Sequence, residues 1–203
     1  MPNANRHFFA CLAALCLVLV SDASRAAEGP LVVFASGPQG EWQSFAGDKK
    51  NWALEVRSDM KTLNETVTVA VLDDGAHRVT WKGRAEGQYF LAGAPQDLSA
   101  LIEDDAGLVV VLQIHRPPSR DVSLRMGCGY PCAANANITR LLKALPKDEW
   151  VRFSVAAQCF ADNGLWSGNV DMPFMLHTRG RMDVSIGEVR IEPGAGADAI
   201  IRC

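Results

Sequence analysis

Beyond its first twenty residues the chain has no long apolar run, and it has no excess of basic charge, no internal repeat and no low-complexity stretch. Each absence removes a class of protein. Without eighteen successive apolar residues, the mature chain offers no membrane-spanning helix. With 20 Lys and Arg against 23 Asp and Glu, the net charge is −3, and the two signs alternate rather than cluster. That pattern leaves no basic footprint for nucleic acid. Signatures of autonomous catalysis are missing as well. There is no Gly-x-Ser-x-Gly elbow and no His-Glu-x-x-His, and His77, His115 and His177 lie in or beside strand patterns. Glycoside hydrolysis needs two facing carboxyl groups, but any chain this rich in acids contains pairs, so their presence argues nothing.

What is present begins at the N-terminus. Arg6 and His7 precede thirteen uncharged residues, Phe8 to Val20, and Ser24-Arg25-Ala26 places small residues where a signal peptidase reads. Thirteen helical residues reach only about 20 Å, short of a hydrocarbon core of about 30 Å, so residues 1–26 read as a cleaved export signal rather than an anchor. Leu15 before Cys16 argues against lipoprotein processing. Cleavage after Ala26 removes Arg6, Arg25 and Asp22, so the basic count falls from 20 to 18 and the acidic count from 23 to 22, a net −4. A periplasmic or secreted protein is expected, with one domain over residues 27–193 and a loose tail over 194–203. A chain of this size buries roughly 70% of its unfolded surface in one core.

Export retains four cysteines, Cys128, Cys132, Cys159 and Cys203, and an even number in an oxidising compartment favours disulfides. Gly127, Gly129 and Pro131 make a turn around Cys128 and Cys132, close enough for a bridge between them. Cys159 reads either as a buried thiol or as the partner of Cys203. A zinc site is the weaker reading, because no His follows the Cys-x-x-x-Cys spacing.

Period-two patterns dominate the mature chain. Leu31 to Ala35, Trp52 to Val56, Thr66 to Leu72, His77 to Lys82, Gly87 to Leu91, Leu108 to His115, Val122 to Met126, Trp150 to Val155, Phe174 to Leu176 and Met182 to Ile191 read as short strands between Gly, Pro, Asp and Asn turns. The expectation is an all-β protein, an antiparallel β-sandwich. One interior helix is expected: Asn137 caps it, Ile138, Leu141, Leu142 and Leu145 follow helical spacing, and Pro146 ends it. Pro95 to Ile102 offers a further turn or two, with Asp97 or Ser99 as cap.

One stretch carries a more specific message. Met126-Gly127-Cys128-Gly129-Tyr130-Pro131-Cys132, then Leu145-Pro146 to Trp150, Gln158-Cys159-Phe160 and Asp171-Met172-Pro173-Phe174 occur in an order that resembles the galactose-binding-like domain at the C-terminus of ExoP-type exo-acting β-glucan glucohydrolases. The resemblance extends over about Gln39 to Ile191. It implies a jelly roll and a non-catalytic sugar-binding accessory role. In those enzymes a separate barrel carries the catalytic carboxylates, and this chain has no room for one. The implied partner is a poly- or oligosaccharide, β-glucan being one candidate. The alternative is a protein-interaction module docking to a separately encoded glycosidase or another envelope protein; a glycoside hydrolase is the third reading.

Sugar binding asks for an exposed aromatic face beside planar polar groups. Trp166 lies in the polar loop Asp162-Asn163-Gly164-Leu165-Trp166-Ser167-Gly168-Asn169, where Asp162, Asn163 and Asn169 are candidate hydroxyl partners. Trp42, after a Gly- and Pro-rich turn, and Tyr130, in the cysteine loop, are the further preferred candidates, and Trp52, Tyr89 and Trp150 complete the aromatic set. Trp81, in register with Val79, reads as core. No cofactor is expected. Asp73-Asp74-Gly75 and Asp104-Asp105 lack the alternating spacing of a calcium loop and read as solvated turns, which leaves structural calcium the lesser reading.

Overall fold

The computed structural model describes residues 29–203, so the expected export signal lies outside the described residues. In chain order the elements are β1 (Leu31–Ala35), β2 (Gln43–Asp48), the two-residue β3 (Leu54–Glu55) and β4 (Met60–Lys61), β5 (Val67–Val71), β6 (His77–Lys82), β7 (Gly87–Ala92), helix α1 (Ser99–Glu103), β8 (Gly107–Arg116), β9 (Val122–Gly127), β10 (Ala133–Asn137), α2 (Thr139–Ala144), β11 (Trp150–Ala156), α3 (Gln158–Asp162), β12 (Met172–Thr178) and β13 (Arg181–Glu192). All strand pairings between these elements are antiparallel.

Two sheets result. One runs β11-β8-β13-β6-β5-β4, with β1 added against β13; the other runs β10-β9-β12-β7-β2-β3. The long strand β13 serves two neighbours on one side, β6 with its first half and β1 with its second. Its register against β8 shifts between Ile186 and Glu188. A bulge of this kind bends a strand and lets one element span a curved sheet. Between the sheets, alternate residues such as Val79, Trp81, Leu91, Leu112, Leu124, Phe174, Leu176 and Val184 form one continuous buried core. The antiparallel sandwich is therefore as the alternation predicts, and Trp81 is sealed inside with its indole N–H donating to the Gly87 carbonyl at 2.9 Å.

The differences are local. Among the described residues three short α-helices occur: α2 as expected, α1 where a further turn or two is expected, and α3, which is not. Just before α2 the Asn137 side chain accepts the Thr139 N–H, and Asp97 does the same for Ser99 before α1, while the N-cap positions themselves, Ile138 and Leu98, make no side-chain cap bond. The third, α3, is a single turn that amphipathic spacing does not reveal, because it continues directly from β11. Strands β2 and β10 carry Ser, Gly, Ala and Asn in place of β-branched residues and escape a hydrophobicity pattern. The region expected as a strand from Trp52 pairs only over Leu54–Glu55.

The C-terminal residues expected to be loose are held. Gly196 N–H donates to the Asp105 carbonyl at 2.7 Å, Ala156 N–H to the Ile201 carbonyl at 3.0 Å, and Cys203 is bridged to Cys159 with α-carbons 5.1 Å apart. Cys128 and Cys132 form the second disulfide, at the same separation. Among the described residues no helix is long and apolar enough to cross a membrane.

Candidate functional site, a groove on the outer face of one sheet

Successive residues of a strand face opposite sides, so the rows of the six-stranded sheet fix what points outward. One row runs Asn135, Arg125, Met175, Phe90, Phe45 and Glu55 across all six strands. Phe45 and Phe90 stack at 5.1 Å between centroids. This outer face buries Phe90 and Met175 in mid-row and exposes Asn135 and Glu55 at its ends. It forms the floor of a groove of about 450 Å³ lined by Trp52, Phe90, Arg125, Tyr130, Asp171 and Met172 among others.

Two loops wall this groove. The first, after β2, lies directly on the sheet. Asp48 Oδ1 accepts the backbone N–H groups of Lys50 and Asn51 at 2.9 and 3.2 Å, and the Gln88 side chain donates to the Trp52 carbonyl at 2.9 Å. Gly47 makes the approach possible: a Cβ there would stand 1.8 Å from the Trp52 oxygen. The indole of Trp52, 54% exposed, is thereby presented at the groove from a fixed backbone. The second wall is the cysteine loop. Its disulfide joins Cys128 and Cys132, Asp171 Oδ1 accepts the Gly129 N–H at 3.0 Å, and the Asn169 amide donates to the Cys128 carbonyl at 3.2 Å. Tyr130 projects from this braced loop fully exposed.

Of the residues expected from sequence, the structure brings only Tyr130 to the groove lining. Asn169 supports it from behind. Trp166 is 63% exposed but does not line the groove; its backbone N–H donates to Cys128 Sγ at 3.3 Å. Asp162 accepts from Gln158 at 2.6 Å and Asn163 donates to the Cys159 carbonyl at 2.7 Å, so both side chains work within α3. Trp42 is corrected. It is only 8% exposed and its ring packs over Gly93, where a Cβ would meet it at 2.8 Å. The turn before β2 folds this indole against the sheet edge instead of offering it to a ligand.

Sequence reasoning counted Trp52 only in the general set of aromatic candidates and did not single out Arg125 or Asp171. The available signal was Gly47-Asp48 ahead of an aromatic: a small residue beside an Asx turn allows the following loop to lie on the strand. Arg125 falls within the alternation of β9, and nothing in that alternation separates a groove floor from an ordinary wet face. Its Nε is buried without a hydrogen-bond partner.

Further along the same face, the next outward positions are Ser123 on β9, Asn137 on β10 and His177 on β12. They line a second cavity of about 510 Å³. Burial lowers the His177 pKa, Glu86 opposes this, and the Arg125 and Arg179 charges add to the lowering. On the opposite sheet, His115 Nδ1 meets Asp148 at 2.8 Å and its Nε2 meets Ser185 Oγ at 2.9 Å. The order of contacts is that of a hydrolase triad, but Ser185 is 1% exposed in mid-strand between two paired neighbours. No acyl group can reach that oxygen, and the contact pins Asp148 to the sheet.

A two-sheet sandwich with an aromatic-walled groove across one outer face is a galactose-binding-like module. The chain belongs to the ExoP C-terminal family, described as galactose-binding domain-like, whose model matches residues 40–191. Among solved structures, it is similar to the extra C-terminal domain of exo-1,3/1,4-β-glucanase (ExoP) from a Pseudoalteromonas species, at 12% identity and a TM-score of 0.67 over 86% of this chain and 97% of that domain. Against the ExoP enzyme itself, the TM-score is 0.70 at 11% identity over 87% of this chain and only 22% of that one. The family 30 carbohydrate-binding module of the Clostridium thermocellum cellulase Cel9D-Cel44B matches with a TM-score of 0.56 at 13% identity, over 81% of this chain and 98% of that module. The C. thermocellum family 11 module, solved with a β-1,3-1,4-mixed-linked tetrasaccharide, matches with a TM-score of 0.51 at 9% identity, covering 87% of this chain and all of that one. No curated protein matches the sequence.

Proposed function

We propose that this domain is an exported, non-catalytic carbohydrate-binding module that holds a poly- or oligosaccharide in the groove of the six-stranded sheet. The observation that carries this reading is Trp52, an exposed indole locked by its backbone beside Phe90, Arg125 and Asp171. Pyranose C–H faces stack on Trp52 and Tyr130, while the Arg125 guanidinium and the Asp171 carboxylate pair with hydroxyls. Two disulfides support an oxidising compartment, either periplasm or medium. A β-glucan is the leading ligand class, supported by the substrate named for ExoP and by the tetrasaccharide seen with the family 11 module.

Trp52→Ala should weaken retention on laminarin or mixed-linkage glucan in affinity electrophoresis by about 1–3 kcal/mol, the scale for an aromatic hot spot. Thermal stability should be unchanged, because the side chain is exposed. Tyr130→Ala should lose less. The same gels with Trp166→Ala separate the two loops: loss on Trp166→Ala with Trp52→Ala unaffected would move the site beyond the cysteine loop. A second reading, docking to a separately encoded glycosidase, is favoured by Trp166 itself, a large apolar surface left outside the groove. It gains if no glycan is retained by the unmodified protein.

A further inference from the structure

The polar surface of this sheet does not end at His177. Beyond it, the loop after β6 and the turns before β9 and after β12 enclose a cavity of about 340 Å³ lined by Lys49, Arg84, Arg120 and Arg179, with Glu86 as its one carboxylate. This cavity shares Glu86, Arg120 and Arg179 with the 510 Å³ cavity that holds Ser123, Asn135, Asn137 and His177. Asp121 adds a second acid there, so four cations stand against two carboxylates in a chain whose net charge is −3. Glu86 is engaged by Arg179 and by Lys49, the latter at 3.8 Å. The guanidinium groups of Arg84 and Arg120 have no ion pair among the described residues, and both residues are exposed. Toward the aromatic end, Arg125 Nε is buried in the floor and unpartnered. A buried guanidinium N–H without an acceptor is an uncommon state, relieved when a ligand supplies one.

We propose that this outer face is built for an acidic saccharide, one whose pyranose rings stack at Trp52 while carboxylate or sulfate substituents are taken by Arg125 on β9 and, beyond the N-terminal end of that strand, by Arg84 and Arg120. This inference rests on the carbohydrate-binding reading above and narrows its ligand. Arginine suits the task because its planar fork meets a carboxylate or sulfate with two parallel hydrogen bonds. Ser123, Asn135 and Asn137 between the two ends provide hydroxyl partners of the kind a sugar backbone requires. A membrane surface or a nucleic acid would meet the cations alone; only a glycan uses the aromatic end and the basic end in one continuous face.

The test compares laminarin with carboxymethyl-laminarin, which share a backbone and differ in charge. Full-length protein should hold the carboxymethylated polymer about tenfold more tightly at low salt, with the advantage shrinking as NaCl rises from about 0.05 to 0.5 M. The Arg84→Ala/Arg120→Ala variant should lose most of that advantage and keep its affinity for laminarin. Equal retention of both polymers overturns the acidic preference and leaves the carbohydrate-binding reading standing. An undiminished advantage in the double variant also overturns it. If dextran sulfate and vesicles containing phosphatidylglycerol bind as tightly, and Trp52→Ala does not weaken carboxymethyl-laminarin binding, the patch is a general polyanion surface and the proposal falls. Retention of neither laminarin polymer removes the carbohydrate-binding reading and this inference together.

Discussion

Gly47 shows how a single missing side chain sets the site. The loop after β2 can lie on the sheet only because nothing projects from that position, and the nearest atom to a notional Cβ is the Trp52 carbonyl oxygen at 1.8 Å, a backbone atom with little freedom to yield. Gly47→Ala should therefore lower stability by about 1–3 kcal/mol, the range for overpacking. It should also impair glycan retention, because the indole is carried with the displaced loop. Trp52→Ala differs in kind, since it should lose binding and keep the melting temperature. Thermal unfolding and affinity electrophoresis on both variants separate presentation of the ring from the ring itself; a Gly47→Ala protein with full stability and full retention would sink the argument. At this scale the sequence was legible in part. Tyr130 could be placed because turn formers surround it, and Trp81 because it alternates with Val79. Trp42 and Trp52 could not be told apart. Each follows a polar, turn-rich stretch, and the deciding contacts, with Gly93 and Gly47, lie outside either indole's local pattern.

Among the elements, α3 and the C-terminal segment are joined by a covalent bond that no periodicity discloses. Cys159 lies within the single turn of α3 and Cys203 is the last residue, 44 positions away. Chain-entropy arithmetic gives about 4 kcal/mol for closing a loop of that length and about 2 kcal/mol for the four-residue separation of Cys128 and Cys132. Replacing Cys159 and Cys203 by serine should thus cost more stability in urea unfolding than the Cys128/Cys132 pair. It should also release residues 200–203 to carboxypeptidase. The ranking should invert for function: opening the Cys128–Cys132 loop loosens the wall that carries Tyr130, whereas the tail lies away from the groove. Equal glycan retention by both double variants would remove the cysteine loop from the site. Strands with strong alternation, such as β6 and β8, were legible because burial on one face demands it. Strands β2 and β10 were not, since their small and amide residues are accepted only because neighbours on the sheet supply the hydrogen bonds.

Across the whole molecule, the two sheets are tied by a polar chain as well as by apolar packing. His77 on β6 meets the Tyr89 hydroxyl of β7 at 2.8 Å, and that hydroxyl donates to Ser44 of β2 at 3.2 Å. Burial lowers the His77 pKa from 6.5 to about 4. Between those values the unfolded chain binds a proton that the folded one excludes, so stability falls as pH drops from 6.5 toward 4, by as much as about 3 kcal/mol. His177, also lowered, adds to the loss in the same direction. Carboxylates such as Glu65, held at about 2 by Lys61 and Lys82, withdraw their contribution only below 4.5, in a separate window. Urea unfolding at pH of about 7.5 and about 5 should show the drop in the unmodified protein and most of it abolished in His77→Gln; parallel pH profiles would refute the assignment. The sequence by itself determined the class of this protein. Alternation, turn residues and the cysteine-loop motif require a disulfide-bearing antiparallel sandwich, since burying one face of each strand is a local demand written every second residue. Only the tertiary structure brings the residues of the proposed site together. Lys49, Arg84, Arg120 and Arg179 are dispersed in a chain without charge clusters, and Trp52 and Tyr130 are 78 residues apart. They come to cavities along one sheet because strand order, which the sequence pattern leaves open, sets β2 and β9 together.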